Sequence, residues 1–406
     1  MALHDDVKAA SGEVPAPDWT STGTEMQADP LGTMAQLRAR APVPYSDAGR
    51  LGRGPHWSLM RHADIVDAAQ DPETFRNVGA SRFPHRRPPL ESDPPEHGHF
   101  RRALQPFFSA ARMKELEVQV RAFASDLLDP LLASRDGDAA RQFARPLPPR
   151  ALLALLGQPV EDWAQVKAWS EDAYLQGSPT DEERRRFEAA NDGLWAYSRD
   201  VVADRQRSPR TPERDMVSAL LVTRADGQLL DPDLIAGVVR LLLAAGHDST
   251  TSAVGMTLHY LARTPADQVR LRADPGLIPT AVEEMLRFEP PVFAMPRVMA
   301  EDMDLHGRHL RAGDRVFLYF VSGNRDTVAF ADADRCIVDR RPNPHLTFGY
   351  GIHRCVGAPL ARLELRVALE TWLARTRAFG LAGEVTFEVW HRFGPRSLPV
   401  WIEPAD

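Results

Sequence analysis

Phe348-Gly349-Tyr350-Gly351-Ile352-His353-Arg354-Cys355-Val356-Gly357-Ala358-Pro359 runs without a break into LARLELRVALETWLAR (360–375). The second part has apolar residues at helical spacing, and Pro359 suits a first helical position. Before it, Gly349, Gly351 and Gly357 allow a tight loop, because glycine takes backbone conformations that other residues resist. Cys355 is therefore expected just ahead of a helix N-terminus, where free N–H groups and the helix dipole favour an anion. A thiol in that position is expected to have a lowered pKa and to act as a nucleophile or a metal ligand. Cys336 is the other cysteine of the chain, and no CxxC pair is present, so a zinc site is not indicated. By physics alone, Cys355 is either a catalytic thiolate or an axial ligand of haem iron.

The rest of the chain bounds what such a thiol can serve. Its 406 residues carry 49 Lys and Arg against 56 Asp and Glu, a net charge of −7, which excludes bulk nucleic-acid binding. Two cysteines make no disulfide framework, so a reducing, cytoplasmic setting is expected. The N-terminal MALHDDVKAASGEVPAPDW lacks a basic stretch followed by an apolar one, so no secretory leader is read. The longest apolar run, VVRLLLAAG (238–246), contains Arg240 and falls short of the roughly 18 residues that span a bilayer. Length alone suggests two or three domains at roughly 150 residues each.

Helical periodicity dominates. MAQLRAR (34–40), HADIVDAAQ (62–70), 111–133 and 182–206 all place apolar residues three and four apart. Strand patterns are short and few: PHWSLM (55–60), RVFLYF (315–320) and PVWIE (399–403). The expectation is a mainly α fold with a small β part. Residues 1–25, polar and rich in proline, read as a flexible arm. One helix is unusual. It is capped by Asp231 with Pro232 in first position and runs to Pro265, about 30 residues or roughly 45 Å. Its centre holds Gly246 and the hydroxyl run Ser249-Thr250-Thr251-Ser252. A mid-helix glycine costs about 1 kcal/mol, and hydroxyls compete for backbone hydrogen bonds. Either another helix crosses closely at Gly246, or a buried central helix breaks its own rules beside a reaction site.

Phe348-x-x-Gly351-x-His353-x-Cys355-x-Gly357 resembles the haem-binding loop of the cytochrome P450 family at each defining position. The resemblance implies haem b held between a long central helix and the cysteine loop. It makes Cys355 the thiolate ligand, with Phe348 shielding the sulfur, Gly357 completing the loop and His353 reaching a propionate. Three further segments match in the family's order. Glu284-Met285-Leu286-Arg287 resembles the E-x-x-R motif, and its spacing puts Glu284 and Arg287 on one helix face. The family adds a second arginine, here Arg340 or Arg341, in a structural role. His97-x-x-x-Arg101 and Arg297 resemble propionate-binding positions. Ala245-Gly246-His247-Asp248-Ser249-Thr250 resembles the A-G-x-(D/E)-T-T segment. There Ala245 and Gly246 leave room for dioxygen, and Asp248 with Ser249 and Thr250 relays the protons that O–O cleavage needs. Ser249 departs from the usual threonine. Serine donates the same bond but lacks the methyl that stiffens the rotamer, which leaves peroxide-driven chemistry open.

The resemblance thus implies a monooxygenase acting on a hydrophobic small organic molecule. No flavin or iron–sulfur segment is read, so electrons are expected from a separate ferredoxin or flavodoxin. That donor would dock near Arg101, Arg102, Arg112, Lys114, Arg354 and Arg362. The substrate wall is expected from Leu241, Ala245 and Ser249, the loop 79–90, the neighbourhood of Tyr174, Val292, Phe293, Ala294, Met295, and Arg392 with Phe393. Arg82, His85, Arg86 and Arg87 in that loop read chiefly as solvated charge, with a carboxylate-bearing substrate as the alternative. An isomerase, a peroxygenase and a non-catalytic haem sensor are the competing classes. Because His97, Asp248, Arg297 and Cys355 must meet at one haem, residues 26–406 are expected to form a single domain, as a monomer.

Overall fold

The computed structural model describes residues 16–20, 23–47, 54–80, 85–173, 180–388 and 394–405. The periodic stretches are helices with nearly the expected ends. After the short α1 (Thr24–Ala28) come α2 (Pro30–Arg40), α3 (His62–Gln70) and α4 (Glu96–Leu104). Then follow α5 (Ala110–Ser134), α6 (Leu147–Leu155), α7 (Trp163–Ala173), α8 (Asp181–Arg207) and α9 (Met216–Val222). On α5, Met113, Leu116, Val120, Ala124, Leu128 and Leu131 form one buried stripe, the helical repeat read directly as a core face. Thr180 caps α8 with a capping box to Glu183.

The expected single central helix is two. Asp231 and Pro232 start α10 (Pro232–Ala245) as anticipated, but the chain turns at Gly246 and His247 before α11 (Asp248–Arg263) begins. Gly246 has no room for a side chain: a Cβ there would stand 2.6 Å from the Leu242 carbonyl oxygen and 3.1 Å from Leu152 on α6. Both readings of the weak centre therefore hold at once, a close crossing and a break. Beyond it lie α12 (Pro265–Ala273), α13 (Ile278–Phe288), the short α14 (Phe320–Gly323) and α15 (Ala358–Arg375).

The three expected strands form, as His56–Leu59, Arg315–Leu318 and Pro399–Pro404. The first two belong to a five-stranded sheet that also holds Tyr45–Ser46, Met295–Met299 and Phe75–Arg76. Arg315–Leu318 runs parallel to His56–Leu59 and antiparallel to Met295–Met299, with Val316 opposite both Trp57 and Arg297. That register sets Arg297 on a central strand. Asp18 and Trp19, within the expected arm, are tied down instead. Asp18 accepts the Tyr45 N–H at 2.8 Å and an Arg308 N–H at 2.6 Å, and Trp19 is buried with Met34, Leu37 and Tyr319. Among the described residues no helix is long and apolar enough to cross a membrane.

Candidate active site

One largely apolar cavity gathers residues from four separate parts of the chain. Leu241, Ala245, Gly246, Ser249 and Thr250 come from the α10–α11 break, and Phe348, His353, Cys355 and Gly357 from the loop before α15. His97 and Arg101 come from α4, and Val292, Met295 and Arg297 from the segment after α13. Gly349 and Gly351 sit at φ of 68° and 66°, where only glycine is at ease, and a Cβ on Gly351 would meet the Ala69 carbonyl at 2.0 Å. Gly357, at φ −79°, needs no such freedom; its missing Cβ would stand 3.8 Å from the Cys355 sulfur. The Cys355 N–H donates to the Phe348 carbonyl at 2.8 Å, closing the loop.

Electrostatics at the sulfur differ from the expectation. Burial pushes the Cys355 thiol up, against the N–H groups of Gly357 and Ala358 and the Arg101 and Arg362 guanidiniums that pull it down. Its surface is reachable only in the sense that it faces two cavities, the large one and a shallow outer one beside Arg354 and Arg362. The helix terminus by itself therefore does not offset burial at this thiol; a cation bound at the sulfur would favour the thiolate. Cys336 is the inert cysteine, pushed up to about 12 by burial.

At one end of the cavity cationic and imidazole groups converge. His97 and His353 lie with ring centroids 4.4 Å apart, and the Nε2 atom of each is buried without a hydrogen-bond partner. Burial, followed by Arg297, His97 and Arg101, drives the His353 imidazole down to about 2, and burial lowers Arg297 to about 10. None of these four residues has an ion-pair partner among the described residues. Buried donors in this state call for an anionic ligand.

Behind the other wall stands Asp248, first residue of α11 and 2% exposed. Lys167 and Ser170 on α7 bond its two carboxylate oxygens, and Lys167 Nζ continues to Glu171 at 3.5 Å, which pairs with Arg145 at 2.6 Å. Ser249 and Thr250 face the cavity while the Asp248 carboxylate meets α7. The E-x-x-R brace forms as its spacing indicated. Arg287 donates twice to Glu284 at 2.8 Å, and the second arginine is Arg340, at 3.0 Å; Arg341 instead reaches Thr280.

The cytochrome P450 family profile matches residues 178–275 and 276–378. Mycinamicin IV hydroxylase/epoxidase of Micromonospora griseorubida is 37% identical over 388 residues, covering 91% of this chain and 94% of that protein. The chain belongs to the cytochrome P450 family. The vitamin D(3) 25-hydroxylase of Pseudonocardia autotrophica is 34% identical over 382 residues, 89% of this chain and 92% of that protein. The crystal structure of CYP109E1 from Bacillus megaterium in complex with corticosterone superposes with a TM-score of 0.81 at 29% identity. It covers 93% of this chain and 99% of that one. As a P450, the protein is a haem b monooxygenase. The cavity fits that cofactor: one thiol on its wall, and partnerless imidazole nitrogens beside buried Arg297 and half-buried Arg101, where propionates need cations.

Several expected positions move. Phe293 and Ala294 leave the substrate wall and pack with Trp19, Met60 and Tyr319, since of residues 292–295 it is Val292 and Met295 that face the cavity. Phe393, Arg392, Tyr174 and Arg82 lie outside the described residues. In the described part of the loop 79–90, Arg86 pairs with Glu96 and Arg87 with Glu91, while His85 stacks on Trp195 at 3.9 Å, so these three side chains are engaged within the fold. Of the expected docking cations, Arg112 is paired with Glu115 and Arg362 with Glu283. Sequence reasoning missed Lys167 and Ser170. Their one signal was polar residues on the inner face of α7, beside buried Val166 and Ala173. It also missed Asn77, a buried cavity residue whose Oδ1 has no partner and can accept a bond from a donor in the cavity.

Proposed function

We propose that Cys355 is the thiolate ligand of haem b, that His97, Arg101, Arg297 and His353 hold its propionates, and that a hydrophobic small molecule is oxidised above it. The observation that carries this reading is the single cavity in which a lone thiol faces a helix broken at Gly246, with buried partnerless Nε2 atoms at one end. When bound, the haem supplies dioxygen activation and insertion of one oxygen atom into the substrate, the other leaving as water. The chain's own residues provide the rest. Ala245 and Gly246 keep the wall small beside Ser249 and Thr250. Asp248 takes protons from the Lys167–Glu171–Arg145 side and passes them toward the Ser249 hydroxyl. Serine serves as donor there, so the Ser249 departure does not of itself require peroxide.

The apolar wall of Leu241, Leu242, Val238, Val292 and Met295 selects an apolar body. Mycinamicin IV, vitamin D(3) and corticosterone, the molecules named with the relatives, are organic compounds of that kind. Electrons come from a separate ferredoxin or flavodoxin in the cytoplasm, docking where Arg101, Arg102 and Arg354 rim the shallow cavity behind Cys355. Carbon monoxide added to dithionite-reduced protein should give the red-shifted Soret band of thiolate-ligated haem; a histidine-type band overturns the Cys355 assignment. Screening apolar compounds for a spin-state shift identifies the substrate class. Reversing Arg102, Lys114 and Arg354 should slow ferredoxin-driven turnover and leave peroxide-driven turnover unchanged; equal ferredoxin-driven rates remove the docking surface.

A further inference from the structure

Beside Glu284, the carboxylate of the E-x-x-R brace, α13 presents a second acid that turns the other way. Glu283 accepts two bonds from Arg362 of α15, Nε to Oε1 and Nη2 to Oε2, both at 2.7 Å. It also accepts from His345 Nε2 at 3.0 Å, while the Thr347 N–H donates to Nδ1 of the same ring at 3.3 Å, which fixes the tautomer with hydrogen on Nε2. Both partners of Glu283 then converge on one aromatic ring. The Arg362 guanidinium lies over Phe348, 4.5 Å from its centroid, and the His345 ring sits 5.9 Å from it. Phe348 in turn accepts the Cys355 N–H through its carbonyl. The Arg362 charge is felt at the Cys355 sulfur, where it favours the anion.

We propose that Glu283 is a positioning residue for the cysteine loop, which holds Arg362 and His345 against Phe348 and so sets how much positive charge the ligand sulfur feels. The bidentate geometry makes the pair directional, with a planar fork on a carboxylate rather than a loose surface contact. His345 is 4% exposed and Glu283 28%, so solvent screens the cluster only in part. Its acidity agrees with the arrangement, for the two donors hold the Glu283 carboxyl down near about 2. Arg362, engaged in this way, belongs to the tuning of the sulfur rather than to a partner surface. The inference rests on Cys355 being the haem ligand.

The test is anaerobic spectroelectrochemical titration of the substrate-free haem protein, which needs no redox partner and no turnover. Glu283→Gln removes the countercharge and leaves the Arg362 cation uncompensated near the sulfur, which favours the reduced iron. The reduced-to-oxidised ratio at fixed potential should rise about tenfold, a shift of about 59 mV for one electron. Arg362→Gln removes the cation and should shift the ratio in the opposite direction. Glu283→Asp keeps the charge but cannot reach both partners, and should fall between parent and Glu283→Gln. Unchanged potentials, shifts of one sign in the two glutamine variants, or Glu283→Asp equal to the parent overturn the proposal. The carbon monoxide band separates this from failure of the ligand assignment. If Cys355 is not the ligand, the parent itself lacks the thiolate band; if only this inference fails, that band persists and the potentials alone disagree.

Discussion

Replacing Glu284 by glutamine keeps the shape of the side chain and removes its charge at a buried carboxylate that accepts bonds from four other residues. Glu284 is 0% exposed and accepts from Arg287 twice, from Arg340, from the Ile337 N–H and from Asn343. Every one of these partners is a donor. An amide there turns its own N–H₂ toward donors, and two arginines, 0% and 9% exposed, lose their countercharge. Breaking a buried pair by removing one partner costs roughly 3–5 kcal/mol. With about 2.1 cal/mol/K per residue, the unfolding entropy of 406 residues is about 0.85 kcal/mol/K, so the melting point should fall by about 4–6 °C. The assay is thermal unfolding of the haem-loaded protein, followed in parallel by far-ultraviolet circular dichroism and by the Soret band. Because Arg340 carries bonds to the carbonyls of Ala331, Asp332 and Arg335, the segment leading to the cysteine loop should loosen with it, and haem content should drop. The fraction that keeps haem should show an unshifted carbon monoxide band, since Glu284 braces the loop without touching the sulfur. A fall below 1 °C, or a band shift without loss of stability, refutes this reasoning.

Lys167→Met should cost roughly 3–5 kcal/mol by leaving a buried carboxylate without its cation, and turnover should fall about 100-fold with substrate binding unaltered; unchanged turnover, measured alongside a binding titration, removes the relay role. Gly246→Ala should cost about 1–3 kcal/mol through the clash with the Leu242 carbonyl and Leu152, seen as a melting point lower by roughly 1–4 °C; no change means the crossing can open. Burial raises the Glu289 carboxyl to about 7, so between about pH 4.5 and 7 the folded protein holds a proton that the unfolded chain has released. Its contribution is present at low pH and lost as pH rises through that window. Urea midpoints at pH 5 and 7.5 should therefore fall more in the parent than in Glu289→Gln, and parallel profiles count against the raised carboxyl.

Much of the site was legible as words in the chain. The Cys355 loop, the E-x-x-R pair and the His97–Arg101 pair each depend on spacings of two to nine residues, and local backbone geometry converts such spacings into shared faces directly. The helix stretches were legible for the same reason, since a 3.6-residue repeat states which face is buried. Where expectation and structure parted, the deciding partner was distant in sequence. At the break in the central helix, Leu152 on α6 leaves no room for a side chain at Gly246, and Phe293 turns inward because a separate cluster around Trp19 receives it.

The thiol's acidity shows the division most plainly. Placement of Cys355 before a helix N-terminus was decided by the sequence, and with it the N–H groups that favour an anion. The balance was decided by the tertiary structure that packs around the sulfur, whose effect on the thiol outweighs those local dipoles. The same holds for Asp248, whose type and position were plain in the chain. Its partners Lys167 and Ser170 lie 81 and 78 residues away and meet it only because α7 packs against α10 and α11. Short-range geometry is written in the order of residues; desolvation and long-range charge pairing exist only once the chain has closed around them.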